Sequence, residues 1–97
     1  MADEQETLNG SYAYENGKFI PKGDMALIER TVGSMKMLAG STETGAGEFY
    51  YDAETKAYWH YIQYEDYRTT LQSIERSEIE SKYPTVDCDH LIDIQRE

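Results

Sequence analysis

Twenty residues, Glu48 to Tyr67, constrain this chain more than any other segment: they hold six of its nine tyrosines and its only tryptophan. Phe49 to Asp52 and Ala57 to Tyr64 are aromatic, β-prone runs on either side of Ala53-Glu54-Thr55-Lys56, which predicts a hairpin with a four-residue connection. Side chains of a strand alternate between faces, so Trp59, Tyr61 and Gln63 share one face of the second strand and Tyr58, His60, Ile62 and Tyr64 the other. So many rings on one hairpin need either a covering layer or a partner surface.

The flanking sequence offers a covering layer. Leu8 to Ile20 holds two short β-prone pieces around Glu15-Asn16-Gly17-Lys18, and Asn-Gly tolerates the positive φ of a tight turn, so a second hairpin is expected. After Pro21 and Gly23, Asp24 stands where it can cap a helix running from Met25 to Gly33 or a little beyond, with Met25, Ile28, Val32 and Met35 at helical spacing. Met35 to Gly40 fits either last helical turns or a strand, and strand is the preferred reading. Ser41 to Gly47 reads as a mobile surface loop; its Gly45-Ala46-Gly47 is not followed by the Lys-Ser/Thr of a phosphate-cradling loop. Thr69 to Ile74 supplies another strand. Ser77 with Glu80 makes a capping box for a short helix ending before Tyr83-Pro84, and Leu91, Ile92 and Ile94 suit a final strand or a tail.

This order predicts an α+β fold. One small domain over residues 8–97 would hold an antiparallel β-sheet of about four to six strands packed on one main helix, with a short C-terminal helix. Residues 1–7 read as a flexible acidic tail. The expected core is Ile28, Val32, Phe49, Trp59, Tyr61, Leu71 and Ile74, and Trp59→Ala is expected to cost ~3–5 kcal/mol if the indole is core.

Nineteen acidic residues against nine basic give a net charge of -10. Such a field repels nucleic acid and anionic lipid and speeds encounter with a basic protein surface, so the expected partner is a protein, with no nucleic acid and no membrane. The aromatic content argues against disorder. A single cysteine, Cys88, cannot form an internal bridge, and no apolar run of signal-peptide or membrane-span length is present, which makes the cytoplasm the expected compartment. Asp87-Cys88-Asp89-His90 gathers four ligand-type side chains, but adjacent residues rarely converge on one ion; the segment reads as flexible and acidic, and no metal or other cofactor is expected. His60 and Cys88 offer a base and a nucleophile without an orienting group, so no catalytic residue is assigned and the chain is expected not to be an enzyme.

Leu8-Asn9-Gly10, the helix containing Ile28, Glu48-Phe49-Tyr50-Tyr51-Asp52, Tyr58-Trp59, Leu71, Ile74 and Lys82-Tyr83 together resemble the immunity protein twenty-seven family over residues 8–84. Tyr50, Asp52, Tyr58 and Trp59 stand at matching places. Tyr51, Ala53 and Lys56 stand where that family has a basic residue, a proline and a turn glycine, and Tyr67-Arg68-Thr69-Thr70 replaces its Gly-Gly-Pro-Pro-like stretch. The resemblance implies a bacterial cytoplasmic antitoxin, encoded beside a polymorphic or contact-dependent toxin and binding that toxin's C-terminal domain to protect the producer and its kin. A nuclease-type toxin with a basic cleft would suit so acidic an inhibitor.

The expected partner-binding residues are Tyr58, His60, Tyr64 and Tyr67 as aromatic anchors, with Asp52, Glu54, Glu65 and Asp66 as steering charges. A sheet face covered by the helix would explain the same rings as packing, and residue types alone leave both readings open; Tyr50 suits either. The expected activity is stoichiometric neutralisation of a cognate toxin domain by a monomer or weak dimer. An acidic DNA mimic occupying a DNA-binding groove is the alternative, and a small enzyme the third reading.

Overall fold

Both expected hairpins form. In the computed structural model, which describes residues 7–92, β1 (Thr7–Glu15) and β2 (Lys18–Gly23) join through Asn16 and Gly17, both at positive φ, so that Glu15 pairs with Lys18 and Tyr14 with Phe19. β4 (Glu48–Asp52) and β5 (Ala57–Gln63) join through Ala53 to Lys56, with Lys56 at φ 60°, a conformation that favours glycine. Between the hairpins come α1 (Met25–Gly33), β3 (Lys36–Ala39) and a single 3₁₀ turn (Ser41–Glu43); after them come β6 (Arg68–Ile74), α2 (Arg76–Lys82) and β7 (Asp87–Ile92). Six residues of the expected tail, 1–6, and Ile94 lie outside the described residues, and Thr7 already belongs to β1.

The expectation of four to six strands packed on one main helix is overturned. Among the described residues, seven strands form one open antiparallel sheet in the order β2-β1-β6-β5-β4-β3-β7, accompanied by two short helices. Helix length explains why. At about 1.5 Å per residue the nine residues of α1 span roughly 13 Å, whereas outer strands of a seven-stranded sheet lie about 29 Å apart. The apolar residues accordingly divide between two clusters on opposite faces. Met25, Ile28, Val32 and Met35 meet Tyr50 and Leu71 on the first face, with Leu8, Tyr12, Met37, Trp59 and Tyr61 around them. Ile79 of α2 meets Leu38, Phe49, Val86 and Cys88 on the second, with Tyr51, Tyr58, Ile74 and Tyr83 around them. Register produces this split: Leu8, Leu71, Tyr61 and Glu48 are cross-strand neighbours, as are Ser73, Trp59 and Tyr50, while Phe49 pairs with His60 and alternates to the far side.

Local details depart from expectation where a tertiary partner competes. Asp24 occupies the N-cap position of α1 but makes no side-chain cap; its carboxylate accepts the Asn9 amide at 3.3 Å, tying the helix start to β1. The Ser77–Glu80 box does not form, because α2 starts two residues earlier, with Glu75 at the N-cap position, and Glu80 instead binds Arg76 at 2.8 Å. The Ser41 to Gly47 segment is anchored rather than free at its start: Ser41 is buried, donating to the Leu38 carbonyl at 2.6 Å and accepting the Phe49 amide at 3.1 Å. Asp87 to His90, expected to be a flexible segment, belongs to β7, where Cys88 is core and Asp89 binds Arg76 at 2.9 Å.

Of the expected core residues, Ile28, Val32, Phe49 and Leu71 are buried, whereas Trp59, Tyr61 and Ile74 are half-buried at the cluster margins. The buried Trp59 indole N–H has no acceptor among the described residues. An unmet buried donor costs about 1–3 kcal/mol, which offsets much of what the ring contributes. Trp59→Phe is therefore expected to change stability by less than about 1 kcal/mol, against about 3–5 kcal/mol for Phe49→Ala, as read from urea midpoints.

Candidate interaction surface

The two helices cover the sheet diagonally. α1 seats on β1, β2 and β6 of the first face, whereas the α2 cluster lies over β3, β4 and β7 of the second. Part of the first face stays open beyond α1, and there the strand alternation gathers Tyr12, Tyr14 and Phe19 with Tyr67 from the β5–β6 turn. Phe19 is the hub: its ring lies 5.0 Å from Tyr14, 5.5 Å from Tyr67 and 6.4 Å from Tyr12. Tyr14, Phe19 and Tyr67 remain 66%, 52% and 59% exposed, so these rings pack on one another without being covered.

From this cup a lane of three adjoining depressions crosses the face. Tyr12, Phe19, Gln63 and Tyr67 line its first depression; Gln63, Tyr61, Glu48, Gly47 and Thr42 line the second; Tyr61, Tyr50, Val32 and Glu29 line the third. Gln63 lines both the first and the second, and Tyr61 both the second and the third, so the three adjoin. Gly47, at φ 107°, lets the loop descend onto β5, since a Cβ there would overlap the Tyr61 carbonyl. Its ionisable groups besides tyrosines are Glu29 and Glu48, the latter accepting the Tyr50 hydroxyl at 2.6 Å. No lysine or arginine lines it among the described residues; Lys18 and Lys22 alternate to the opposite side of β2 from Phe19.

The β5–β6 turn fixes one wall of the cup. The Tyr67 amide donates to the Tyr64 carbonyl at 3.2 Å, the Tyr64 amide to Arg68 at 2.9 Å, and the Tyr12 amide to the Tyr67 carbonyl at 3.2 Å. Asp66 accepts Arg68 Nε through both carboxylate oxygens at 3.0 and 2.8 Å, an arrangement that holds its carboxyl below the usual range. The Arg68 guanidinium also lies 4.8 Å above the Tyr64 ring. Tyr67 sits at φ 69°, a left-handed conformation costing a non-glycine residue roughly 1–2 kcal/mol. Strain of this kind persists only where the surroundings over-determine it.

The eight expected partner-binding residues are dispersed. Tyr64, Glu65, Asp66 and Tyr67 share the β5–β6 turn beside the cup. Asp52 and Glu54 flank the β4–β5 turn at the other end of β5, about 20 Å away for seven residues of strand. Tyr58 is half-buried in the second-face cluster. His60 is buried on that face, stacked 4.2 Å from Phe49 and 5.7 Å from Tyr83, with its Nε2–H donating to the Ala46 carbonyl at 2.7 Å. Sequence reasoning overlooked Tyr12, Tyr14, Phe19, Gln63, Glu48 and Glu29. The Asn16-Gly17 turn carried the usable signal, because a two-residue turn makes Tyr14 and Phe19 cross-strand partners on one face.

Burial holds the His60 imidazole below its ordinary value of about 6.5, outweighing the Ala46 bond and the nearby Glu78 charge, which act the other way. The unfolded chain thus takes up a proton at this site before the folded protein does. Stability is expected to fall as pH drops below about 6.5 and to level off once the folded-state pKa is passed. His60→Phe should remove that slope between about pH 6.5 and 5; equal slopes in urea titrations of both proteins would show that His60 does not cause it. Burial also pushes the Cys88 thiol up, which makes it a poor nucleophile near neutrality.

Among the described residues no three His, Cys, Asp or Glu side chains are grouped to hold a metal ion, and no helix is long and apolar enough to cross a membrane. A scan against protein-family models and searches of curated proteins and of solved structures gave no match to this chain.

Proposed function

We propose that this protein is an immunity-type inhibitor that binds a cognate bacterial toxin domain, one to one, and neutralises it without chemistry of its own. The observation that carries this reading is the lane: a run of tyrosines and phenylalanine with two carboxylates, open on the part of the first face beyond α1 and bounded at one end by Glu29 and Val32 of that helix. Exposed aromatic clusters of this kind supply stiff contact area, and carboxylates without cations among them select a basic partner. The -10 charge of the whole chain speeds capture of such a partner. The residues that resemble the immunity family, among them Gly10, Ile28, Phe49, Tyr50 and Leu71, include core positions and the seat of α1, so that resemblance concerns the frame on which the lane is built.

Binding through the face, by a monomer, also fits the sheet edges. Outer strand β2 carries Lys18, Pro21 and Lys22, and outer strand β7 carries Asp87 and Asp89, residues that discourage strand addition. The test is growth of cells induced for the C-terminal domain of the adjacent upstream gene product, with and without this protein, together with co-purification of the pair. Rescue with a stable complex supports immunity. Killing unchanged by this protein, with no complex, overturns it; displacement of a complex by duplex DNA would instead favour a DNA mimic.

A further inference from the structure

We infer that the Tyr12–Phe19–Tyr67 cup is a receptor for an arginine side chain of the protein partner, with the neighbouring Glu48 depression of the lane receiving a second cation. This deepens the inhibitor reading and rests on it for the partner's identity. The three rings line one depression together with Gln63, whose amide oxygen can accept a guanidinium N–H, and an aromatic ring attracts a cation over its face. An aromatic pocket alone would take an apolar side chain equally well. Charge decides here: Asp66 and Arg68 of the adjoining turn neutralise each other, which leaves Glu65 beside the cup and Glu48 one depression along, while Lys18 and Lys22 are directed to the opposite side of the sheet.

The molecule already contains this chemistry at the same turn. Arg68 stacks its guanidinium over Tyr64 while Asp66 grips it from the side. Backbone hydrogen bonds from Tyr67 to Tyr64, from Tyr64 to Arg68 and from Tyr12 to Tyr67 close the turn around the left-handed Tyr67, so the cup wall is set by the fold before any partner arrives. Arginine suits the site better than lysine because its planar, weakly hydrated head stacks on a ring and still donates in plane.

Two measurements test this. The first titrates the isotopically labelled protein with an arginine-containing hexapeptide, its citrulline counterpart and a phenylalanine counterpart, followed by NMR. Shifts at Tyr12, Phe19 and Tyr67 with the arginine peptide, at least ten-fold weaker for citrulline and phenylalanine, are expected; equal responses, or shifts confined elsewhere, overturn the proposal. The second uses Tyr67→Gly, which removes the ring and relieves the positive φ, so the fold is retained. Its melting temperature should be unchanged or raised while arginine-peptide binding falls about ten-fold. Undiminished peptide binding by Tyr67→Gly overturns the cup as receptor. Outcomes for the two readings separate: if the arginine peptide seats but the neighbouring toxin is not bound, the immunity reading fails and the cup stands. If the toxin complex forms equally with Tyr67→Gly and Phe19→Ser, the cup fails and immunity stands.

Discussion

Gly10→Ala is expected to destabilise the protein by about 3 kcal/mol, the upper end of the usual overpacking range, although it adds one methyl group to a half-exposed strand. A Cβ at Gly10 would lie 2.5 Å from the Met25 nitrogen and 2.6 Å from its Cα, so the obstruction is helix backbone and no rotamer change relieves it. α1 cannot simply retreat. The Asp24 amide donates to the Asn9 carbonyl at 3.0 Å, the Asp24 carboxylate accepts the Asn9 amide, and Met25 and Ile28 are sealed into the first-face cluster. For a domain whose total stability is on the order of 5–15 kcal/mol, such a loss shifts the urea midpoint markedly. Gly33→Ala, at the end of the same helix with open space around it, should instead gain about 0.5–1 kcal/mol through helix propensity. An unchanged midpoint for Gly10→Ala would mean that α1 does not press on β1 in solution.

The parts of the fold legible in the sequence are those that local chemistry decides. Asn16-Gly17 fixed the first hairpin and its register, and the polar break Ala53 to Lys56 between aromatic runs fixed the second. The nine-residue extent of α1 followed from Gly33 and the spacing of Met25, Ile28 and Val32. Architecture was lost where long-range partners decide. Leu91 and Ile92 suit a final strand or a tail, but Asp87 to His90 reads as a flexible acidic segment, because what makes it an edge strand is its long-range pairing with Met37 to Ala39. The split of the core onto two faces follows from strand alternation once a helix packs on each side of the sheet. The interaction surface was half legible for a related reason: the Tyr64 to Tyr67 turn stood out by composition, but Phe19 and Tyr12 reach it only because β1 lies beside β6, more than fifty residues away in sequence.

Reversing both carboxylates of the lane, Glu29→Lys with Glu48→Lys, is expected to weaken the complex with the toxin domain about 100-fold, close to 2.7 kcal/mol. Both groups line depressions that a partner must fill, so the new ammonium groups would face its cations at short range with water excluded. Position separates this effect from bulk charge. Glu54→Lys with Glu43→Lys changes the net charge by the same amount outside the lane, in the β4–β5 turn and the 3₁₀ turn, and should slow association several-fold while leaving dissociation nearly unaltered. Neutralising Glu65 beside the cup should resemble this distal pair in its rates, since that residue is exposed at the rim. Stopped-flow association and dissociation rates at two salt concentrations distinguish the sets. Were the lane and distal pairs to weaken binding equally, and both through association alone, the acidic surface would act only as a field and the lane would not be the seat of the partner.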